Sequence, residues 1–272
     1  MKEKIAVLMG GRSLERDVSL KSGQRVAEAL KEKGYEVKKL DVDENLIPTL
    51  DKDRPDLVYI ALHGKYGEDG TIQEMLEILN IPYTGPGVYS SIVGFNKVLS
   101  KEIFKIEGIL SPPFYALSES SFKEMGASEL LPDIAEKIGL PLIVKPSAQG
   151  SALGIKIAHT SEELPRAIIG ALSYDKKVLI EKFIKGKEIS ISILGDEVLP
   201  VVEIIPTKEY FDFESMYTMG KTDYFIPARI DKDLENKVIG IAKKVHKALK
   251  CENLSRTDMI IEEGTNQPYV LE

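Results

Sequence analysis

The last 17 residues of the chain carry an arginine and two carboxylates at a spacing that could bring them together. Two short apolar runs flank a segment rich in turn residues, which is the pattern of a β-hairpin. A hairpin folded symmetrically about Thr265 places Asp258 opposite Glu272, and side-chain alternation puts Arg256 on the same face as Asp258. Facing carboxylates repel each other, so this pattern favours a bound cation such as Mg²⁺, which also takes phosphate oxygens. The alternative is an exposed hairpin with solvated charges.

A second candidate site follows the apolar run at residues 140–144. Lys145 ends this predicted strand, and the sequence PSAQGSALGI after it is rich in serine and glycine. Backbone N–H groups can approach phosphate oxygens where no side chain intervenes, and a lysine neutralises phosphate charge. The pattern indicates a loop that covers a triphosphate.

A third candidate is the predicted strand at residues 178–184, which contains Glu181 and Phe183 and precedes the acid Glu188. An apolar strand edge beside an acid suits the adenine and ribose of a nucleotide. Phe183 on its own is also compatible with an ordinary core side chain. The residues leave both interpretations open.

Two polar loops follow predicted strands near the N-terminus, at residues 10–16 and 63–70. In parallel α/β sheets, chemistry gathers at the carboxyl ends of strands. Ser13 and Glu15 lie where a helix is predicted to begin. They could contact a substrate, or form a turn with an acid that complements the helix dipole.

Apolar periodicity predicts the elements that position these groups. The predicted strands lie at residues 4–9, 35–42, 57–62, 140–144, 178–184, 188–194 and 198–205. The predicted helices are one that ends near Gly34, one at 71–79, a stretch that includes Lys97, and one at 233–250. Residues 207–227 form a long polar, aromatic-rich connection without predicted regular structure, which is typical of a lid or binding loop.

Composition restricts the class of protein. The chain has 272 residues, of which 43% are hydrophobic and 29% charged, as in soluble proteins of two or three domains. A net charge of −7 argues against a nucleic-acid-binding surface. Cys251 is the only cysteine, so an internal disulfide is excluded. Neither a signal peptide nor a membrane-spanning run is evident, and we expect a cytoplasmic protein without membrane partners.

Several motifs, taken together and in order, resemble the D-alanine–D-alanine ligases of the ATP-grasp superfamily. They are GGRSLERDVSLKSG, HGKYGEDGTIQ, IPYTGPG, FNK, IVKPSAQGSALGI, EKFIKGKE, and RTD with a final VLE. The resemblance implies an α/β ATP-grasp fold with an N-terminal parallel α/β domain. The implied boundaries are residues 1–96 for that substrate domain, 97–184 for the central subdomain and 185–272 for the C-terminal subdomain.

The resemblance also implies an activity and a site. Such ligases use ATP to phosphorylate one D-alanine, and the amine of a second D-alanine attacks the acyl phosphate, for peptidoglycan precursor synthesis. The implied catalytic residues are Glu15, Ser151, Tyr217 and Arg256, with Glu15, His63 and Arg256 contacting substrate. The implied ATP site comprises Lys97, Lys145, Glu181, Phe183, Ile184 and Glu188. Asp258 and Glu272 would bind Mg²⁺, with Mn²⁺ as a substitute, and the family suggests a homodimer.

The chain departs from the family pattern in two places. Met216 stands where relatives usually have lysine before Tyr217, and our hypothesis is that Lys221 or Lys208 replaces that charge. Family chains also continue past the position of Glu272 into an asparagine metal ligand, a substrate loop and a helix, so we expect the native chain to be longer. These departures leave two alternatives, a D-alanine–D-lactate ligase and a nucleotide-binding pseudoenzyme. Tyr217 favours a D-amino acid as second substrate.

Overall fold

A computed structural model describes residues 2–206 and 220–272. The chain divides into two compact units. The first takes in the residues up to Phe95 together with Cys251–Leu254, and the second takes in Asn96–Lys250 and Ser255–Glu272. Among the described residues, no helix is both long enough and apolar enough to span a bilayer.

The first unit is built on a parallel sheet with the strand order β2-β1-β3. Its strands are β1 (Lys4–Met9), β2 (Glu36–Asp41) and β3 (Leu57–Ile60). Its helices are α1 (Arg16–Glu32), α2 (Leu46–Lys52), α3 (Thr71–Ile78) and α4 (Val88–Phe95). The three predicted strands and the helices at α1 and α3 are confirmed, whereas α2 was missed in what the sequence suggested was a polar connection.

The central strand β1 is apolar along its length because both faces of the sheet are covered. Ala6 and Leu8 pack with residues of α2 and α3 on one face. Val7 points the other way and packs against Ala27 of α1. Parallel pairing with β2 and β3 sets the direction of β1, and the loop that contains Glu15 follows the carboxyl end of β1.

The second unit contains a sheet ordered β4-β7-β5-β6. Its strands are β4 (Phe114–Ser118), β5 (Leu142–Pro146), β6 (Lys156–Ala158) and β7 (Lys177–Lys182). The helices in this part of the chain are α5 (Lys97–Ile106), α6 (Glu119–Glu124), α7 (Leu131–Ile138) and α8 (Leu164–Leu172). Short 3-10 helices occupy Ala127–Leu130 and Ser161–Glu163.

Alternation along β5 and β7 separates a core face from a polar face. Leu142 and Val144 of β5 pack with helix residues in the apolar core beneath the sheet. Lys145 and, from β7, Glu181 therefore emerge on the opposite face. A cavity lies on that side, so the strand pattern itself positions two charged groups at it.

A second sheet of this unit runs β11-β10-β8-β12-β13, with β9 paired to β8. Its strands are β8 (Gly186–Leu194), β9 (Glu197–Val198), β10 (Val202–Pro206), β11 (Thr222–Phe225), β12 (Leu254–Glu262) and β13 (Pro268–Val270). Helix α9 (Lys232–Ala248) packs against β8. The expectation of irregular structure over residues 207–227 is wrong for β11, which pairs with β10, and residues 207–219 lie outside the described part.

The predicted C-terminal hairpin forms, but its register differs by one residue from the symmetric arrangement about Thr265. Met259 pairs with Val270, and regular pairing would put Leu271 opposite Asp258. Asp258 instead donates its N–H to the carbonyl of Glu272 at 2.8 Å and accepts N–H groups from Leu271 at 2.8 Å and Glu272 at 3.4 Å. Two residues therefore face one, which is a β-bulge, and it brings Glu272 opposite Asp258 despite the shifted register.

Candidate functional site

A cavity of about 890 Å³ lies in the second unit, lined by residues from both of its sheets. Lysines and carboxylates alternate along its wall as ion pairs, Lys97 with Glu272 and Lys145 with Glu181. The charged and apolar residues predicted from sequence that line it are Lys97, Lys145, Glu181, Phe183, Ile184, Glu188, Asp258 and Glu272. The structure therefore brings together predicted residues that are as far as 175 positions apart, counted from 97 to 272.

Lys97 is presented by the first turn of α5. Asn96 caps this helix, since its side-chain oxygen accepts the N–H groups of Val98 and Leu99 at 3.2 Å each. The ammonium group of Lys97 donates to the carbonyl oxygen of Gln149 at 2.9 Å and pairs with Glu272 at 2.6 Å. The lysine is buried with its charge held at the cavity wall.

Lys145 is held by Glu181 across the β5–β7 pair. Its Nζ lies 2.5 Å from Oε1 of Glu181. Burial alone would lower the pKa of Lys145, but the adjacent carboxylate outweighs burial and raises that pKa. Lys145 is therefore firmly a cation at the cavity surface.

Three of the carboxyl groups at the cavity are Glu188, Asp258 and Glu272. Burial, followed by the negative charge of Asp258, raises the pKa of Glu188 to about 8. Burial would also raise the pKa of Glu272, but the Lys97 ammonium group outweighs burial and lowers it to about 2. Near pH 7, Glu188 is thus expected to be neutral and Glu272 ionised.

Two side chains donate hydrogen bonds to Asp258, one from the same strand, β12, and one from the neighbouring strand, β8. Arg256 donates Nε to Oδ1 at 3.0 Å and Nη2 to Oδ2 at 2.7 Å, in a two-point pairing. Ser190 donates its hydroxyl to Oδ1 at 2.8 Å. Because both oxygens are engaged, the guanidinium of Arg256 is held in one orientation, with 62% of its side chain exposed to solvent.

The segment after β7 forms the apolar part of the cavity. Ile184 is buried and Phe183 half-buried, and both line the cavity. Of the two interpretations that the sequence left open for Phe183, the structure places it at the cavity wall. The arrangement offers apolar side chains in a cavity that the carboxyl group of Glu188 also lines.

The loop after β5 contributes Ala152 and Ile155 to the cavity lining. Ser151 and Ala152 have φ of 51° and 53°, in the left-handed region that non-glycine residues seldom adopt. Strain of this kind is characteristic of loops that approach ligands closely. Ser151 itself is half-buried in this turn.

Glu15 and His63 come together in the first unit. Glu15 is 2% exposed and precedes α1, and a Cβ added to Gly64 would lie 2.0 Å from its Oε2. Ser13 links the two loops, because its hydroxyl donates to the carbonyl of His63 at 2.7 Å. The ring of His63 lies 2.9 Å from the hydroxyl of Ser22. A carboxylate and an imidazole thus share one small site.

Tyr217, Met216 and Lys208 lie outside the described residues, so the predicted contact among Glu15, Ser151 and Tyr217 stays a prediction. The same holds for replacement of the missing lysine charge. Lys221 is described and half-buried beside β11.

The donor set of Asp258 and Glu272 fits Mg²⁺ that is shared with phosphate. Among the described residues, no group of three or more acidic, histidine or cysteine side chains is arranged to hold a metal alone. Mg²⁺ commonly takes only one or two carboxylates and completes its shell with substrate phosphates and water. The charge of Asp258 and Glu272 also raises the pKa of Glu188, which marks this side of the cavity as favourable for a cation.

Two family models match the sequence. The model described as D-ala D-ala ligase C-terminus covers residues 103–272, and the one described as D-ala D-ala ligase N-terminus covers 4–49 and 46–86.

The chain belongs to the D-ala D-ala ligase family.

Individual proteins are also similar to this chain in sequence and in structure. A D-alanine–D-alanine ligase of Carboxydothermus hydrogenoformans is 43% identical, over 99% of this chain and 86% of its own. The Bacillus anthracis D-alanine–D-alanine ligase superposes with a TM-score of 0.85 at 35% identity, covering 99% and 86% of the two chains. Its complex with ATP gives 0.82 at 33% identity, covering 99% and 85%. The VanG D-Ala:D-Ser ligase of Enterococcus faecalis gives 0.82 at 29% identity, covering 100% and 90%. The family resemblance and the ATP-grasp fold are thereby confirmed.

Two features of this family member escaped the sequence interpretation. Lys101 is fully buried and pairs with Glu181. Glu203, also at the cavity, is 2% exposed and receives a two-point pairing from Arg229 at 2.9 Å. Lys101 left no signal in the sequence, because three of the four buried residues of α5 are polar, namely Lys97, Ser100 and Lys101, and no apolar stripe marks the buried face.

Proposed function

We propose that this protein is an ATP-dependent D-alanine–D-alanine ligase that acts through an acyl phosphate in peptidoglycan precursor synthesis. The observation that carries the proposal is the cavity of the second unit, a space of nucleotide size that Lys97, Lys145, Asp258 and Glu272 all line. Family membership over nearly the whole chain gives this geometry its substrate class.

In this reaction the lysines bind the phosphates of ATP. Lys145 remains an ammonium ion because Glu181 balances it, and Lys97 is oriented by the carbonyl of Gln149. Phe183 and Ile184 would cover the adenine, and Glu188 would accept the ribose hydroxyls. Because these groups are fixed before ATP arrives, binding requires little reorganisation.

Asp258 and Glu272 would hold Mg²⁺, which supplies charge neutralisation at the γ-phosphate when it is bound. On binding, the carboxylate of Asp258 would balance the charge of the metal ion as well as that of Arg256. The carboxylate of Glu272 would balance the metal ion as well as Lys97. Arg256 would then stabilise negative charge on the tetrahedral oxygen as the second D-alanine adds.

The first unit would bind the first D-alanine. Glu15 is buried. A carboxylate pairs well with an ammonium group, so Glu15 would receive the amine of D-alanine beside His63. Ser151 and Tyr217 would complete the hydrogen-bonding triad that the family suggests.

The proposal also covers the domain boundaries, the cellular location and the oligomeric state. The sheet of β4–β7 would form the central subdomain, residues 97–184, and the sheet of β8–β13 the C-terminal one, residues 185–272, after a substrate domain at 1–96. We further propose a cytoplasmic homodimer, as the family suggests, with ATP and D-alanine as small-molecule partners.

The decisive experiment measures phosphate release from ATP with D-alanine present or absent, and identifies the product by mass spectrometry. The ligase predicts release that depends on D-alanine and yields D-alanyl-D-alanine. Parallel reactions add D-lactate or D-serine, because a D-Ala:D-Ser ligase is among the structural relatives. If the main product joined D-alanine to D-lactate or to D-serine, that compound would replace D-alanine as the proposed second substrate.

Matched variants connect the activity to the site. Glu15→Gln should abolish D-alanine-dependent release, whereas Glu32→Gln, at the exposed end of the same helix, should leave it intact. Thermal stabilisation by ATP without any D-alanine-dependent release would instead indicate a nucleotide-binding pseudoenzyme.

A further inference from the structure

Lys101 is a buried charge that none of the proposed steps uses. It lies on α5 one turn after Lys97, and its exposed fraction is 0%. Its Nζ is 2.6 Å from Oε2 of Glu181 and 5.6 Å from the ring centre of Phe114. A lysine without solvent contact is costly to bury unless its charge is balanced, so its presence requires an explanation.

Lys101 does not itself reach a ligand in the cavity. Because its accessible surface is nil, it presents nothing to bound nucleotide. It acts on Glu181, which offers one oxygen to Lys101 and the other to Lys145. Glu181 thus connects a lysine that is sealed in the protein to a lysine at the cavity surface.

The net charge of Lys101, Glu181 and Lys145 determines how strongly Lys145 can attract the triphosphate. One carboxylate and one lysine would form a neutral pair, and the triphosphate would meet little net positive charge. Two lysines around one carboxylate leave a charge of +1. This excess positive charge is accessible to a ligand only at Lys145, because Lys101 has no accessible surface.

We propose that Lys101 is a positioning residue for ATP, which neutralises Glu181 from behind so that the ammonium charge of Lys145 remains available to the phosphates. This inference rests on the nucleotide site of the proposed function. It assigns Lys101 an effect on phosphate binding that depends on charge rather than on packing alone.

The pKa shifts of Glu181 and Lys145 agree with this arrangement. Burial would raise the pKa of Glu181, but Lys101 and Lys145 together outweigh burial and lower it. Burial lowers the pKa of Lys101, and Glu181 offsets part of that effect. The two lysines thus outweigh the effect of burial on the pKa of Glu181.

The test compares the affinities for ATP and for adenosine by calorimetry at about pH 6.5, above the ordinary pKa of a carboxyl group and below the pKa of Glu188, which is about 8. Adenosine lacks phosphates, so the ratio of the two affinities isolates the phosphate contribution. The variant Lys101→Met removes the charge with similar length. The double variant Lys101→Met/Glu181→Gln restores a charge of +1 on Lys145 alone. Lys105→Met, exposed on the same helix, is the matched control.

We expect Lys101→Met to reduce the ATP-to-adenosine affinity ratio by roughly 10- to 100-fold, the range for a lost charge-assisted contact. The double variant should return the ratio to within about twofold of wild type, as should Lys105→Met. An unchanged ratio in Lys101→Met, or a double variant as weak for ATP as the single one, would overturn the inference.

Folding and function failures are separable in this design. If Lys101→Met does not fold, the double variant decides alone, since it contains no uncompensated buried carboxylate. Its recovery of the ratio supports the charge mechanism, and a low ratio contradicts it. A wild-type chain that binds neither ATP nor adenosine would instead defeat the proposed function.

Discussion

The ammonium group of Lys97 lies 2.6 Å from a carboxylate oxygen of Glu272. A proposed phosphate-binding lysine and a proposed metal-binding carboxylate therefore neutralise each other in the chain as it stands. Mg²⁺ with ATP brings the complementary charges, a cation for Glu272 and phosphates for Lys97. The ion pair thus holds both groups in place before the nucleotide binds.

Removing the carboxylate should weaken the response to metal. Glu272→Gln should raise the Mg²⁺ concentration for half-maximal phosphate release by at least about tenfold. A Mg²⁺ titration at saturating ATP measures this. Glu197→Gln, an exposed acid on β9, should give the wild-type curve, and an unshifted curve for Glu272→Gln would remove Glu272 from the metal site.

Glu188 should make folding stability depend on pH. Its pKa is about 8 in the folded chain against 4.5 ordinarily, so the folded state keeps a proton that the unfolded state loses. Its contribution is complete below 4.5 and is lost as pH rises through about 8, at up to about 1.4 kcal/mol per pH unit. Glu188→Gln should flatten this part of the profile of melting temperature against pH.

The measurement is thermal unfolding at several pH values within that window, without nucleotide. Glu197→Gln should retain the wild-type slope because its carboxyl group is exposed. A slope that Glu188→Gln leaves unaltered would show that other groups produce it.

Gly64 should control the position of Glu15. Gly64→Ala would put a Cβ 2.0 Å from Oε2 of Glu15, and the carboxylate would have to move. We expect kcat/KM for D-alanine to fall by roughly 100-fold, the usual result of misplacing a reacting group by about 1 Å.

Gly85→Ala is the control, since Gly85 also has a positive φ, of 95°, but no atom lies within 4 Å of the position that a Cβ would take there. It should share the backbone strain and the loss of stability, yet keep kcat/KM for D-alanine near wild type. Equal loss of kcat/KM in both variants would attribute the effect to strain alone.

Asn96 should couple the stability of α5 to ATP binding. Asn96→Ala removes the acceptor for two helix N–H groups and for the hydroxyl of Ser147 at 3.0 Å. The expected cost is about 1–2 kcal/mol of folding free energy, together with a higher KM for ATP because Lys97 is the next residue.

Ser118→Ala provides the comparison, since Ser118 caps α6 by accepting the N–H of Ser121 at 3.0 Å. It should lower the melting temperature without changing the KM for ATP, because α6 carries no proposed site residue. A KM that changes equally in both variants would contradict a specific role for Asn96.

The sequence by itself determined the features that depend on near neighbours. The apolar run of β1, the lysine at the end of β5 and the turn between β12 and β13 are local patterns, and the structure contains them. Local period decides which side chains share a face, and ordered motifs decide the family. These were sufficient to nominate Lys145 and Asp258 as partners of one site.

Only the tertiary structure decided how those patterns meet. The bulge that brings Glu272 opposite Asp258 changes strand register by one residue, which no short-range pattern encodes. Lys101 is similar, because its burial and its ion pair with Glu181 of β7 join residues 80 positions apart in the chain, counted from 101 to 181. The sequence names the charged groups, whereas long-range packing sets their distances, and in a buried site distance and desolvation determine which charges remain available to a ligand.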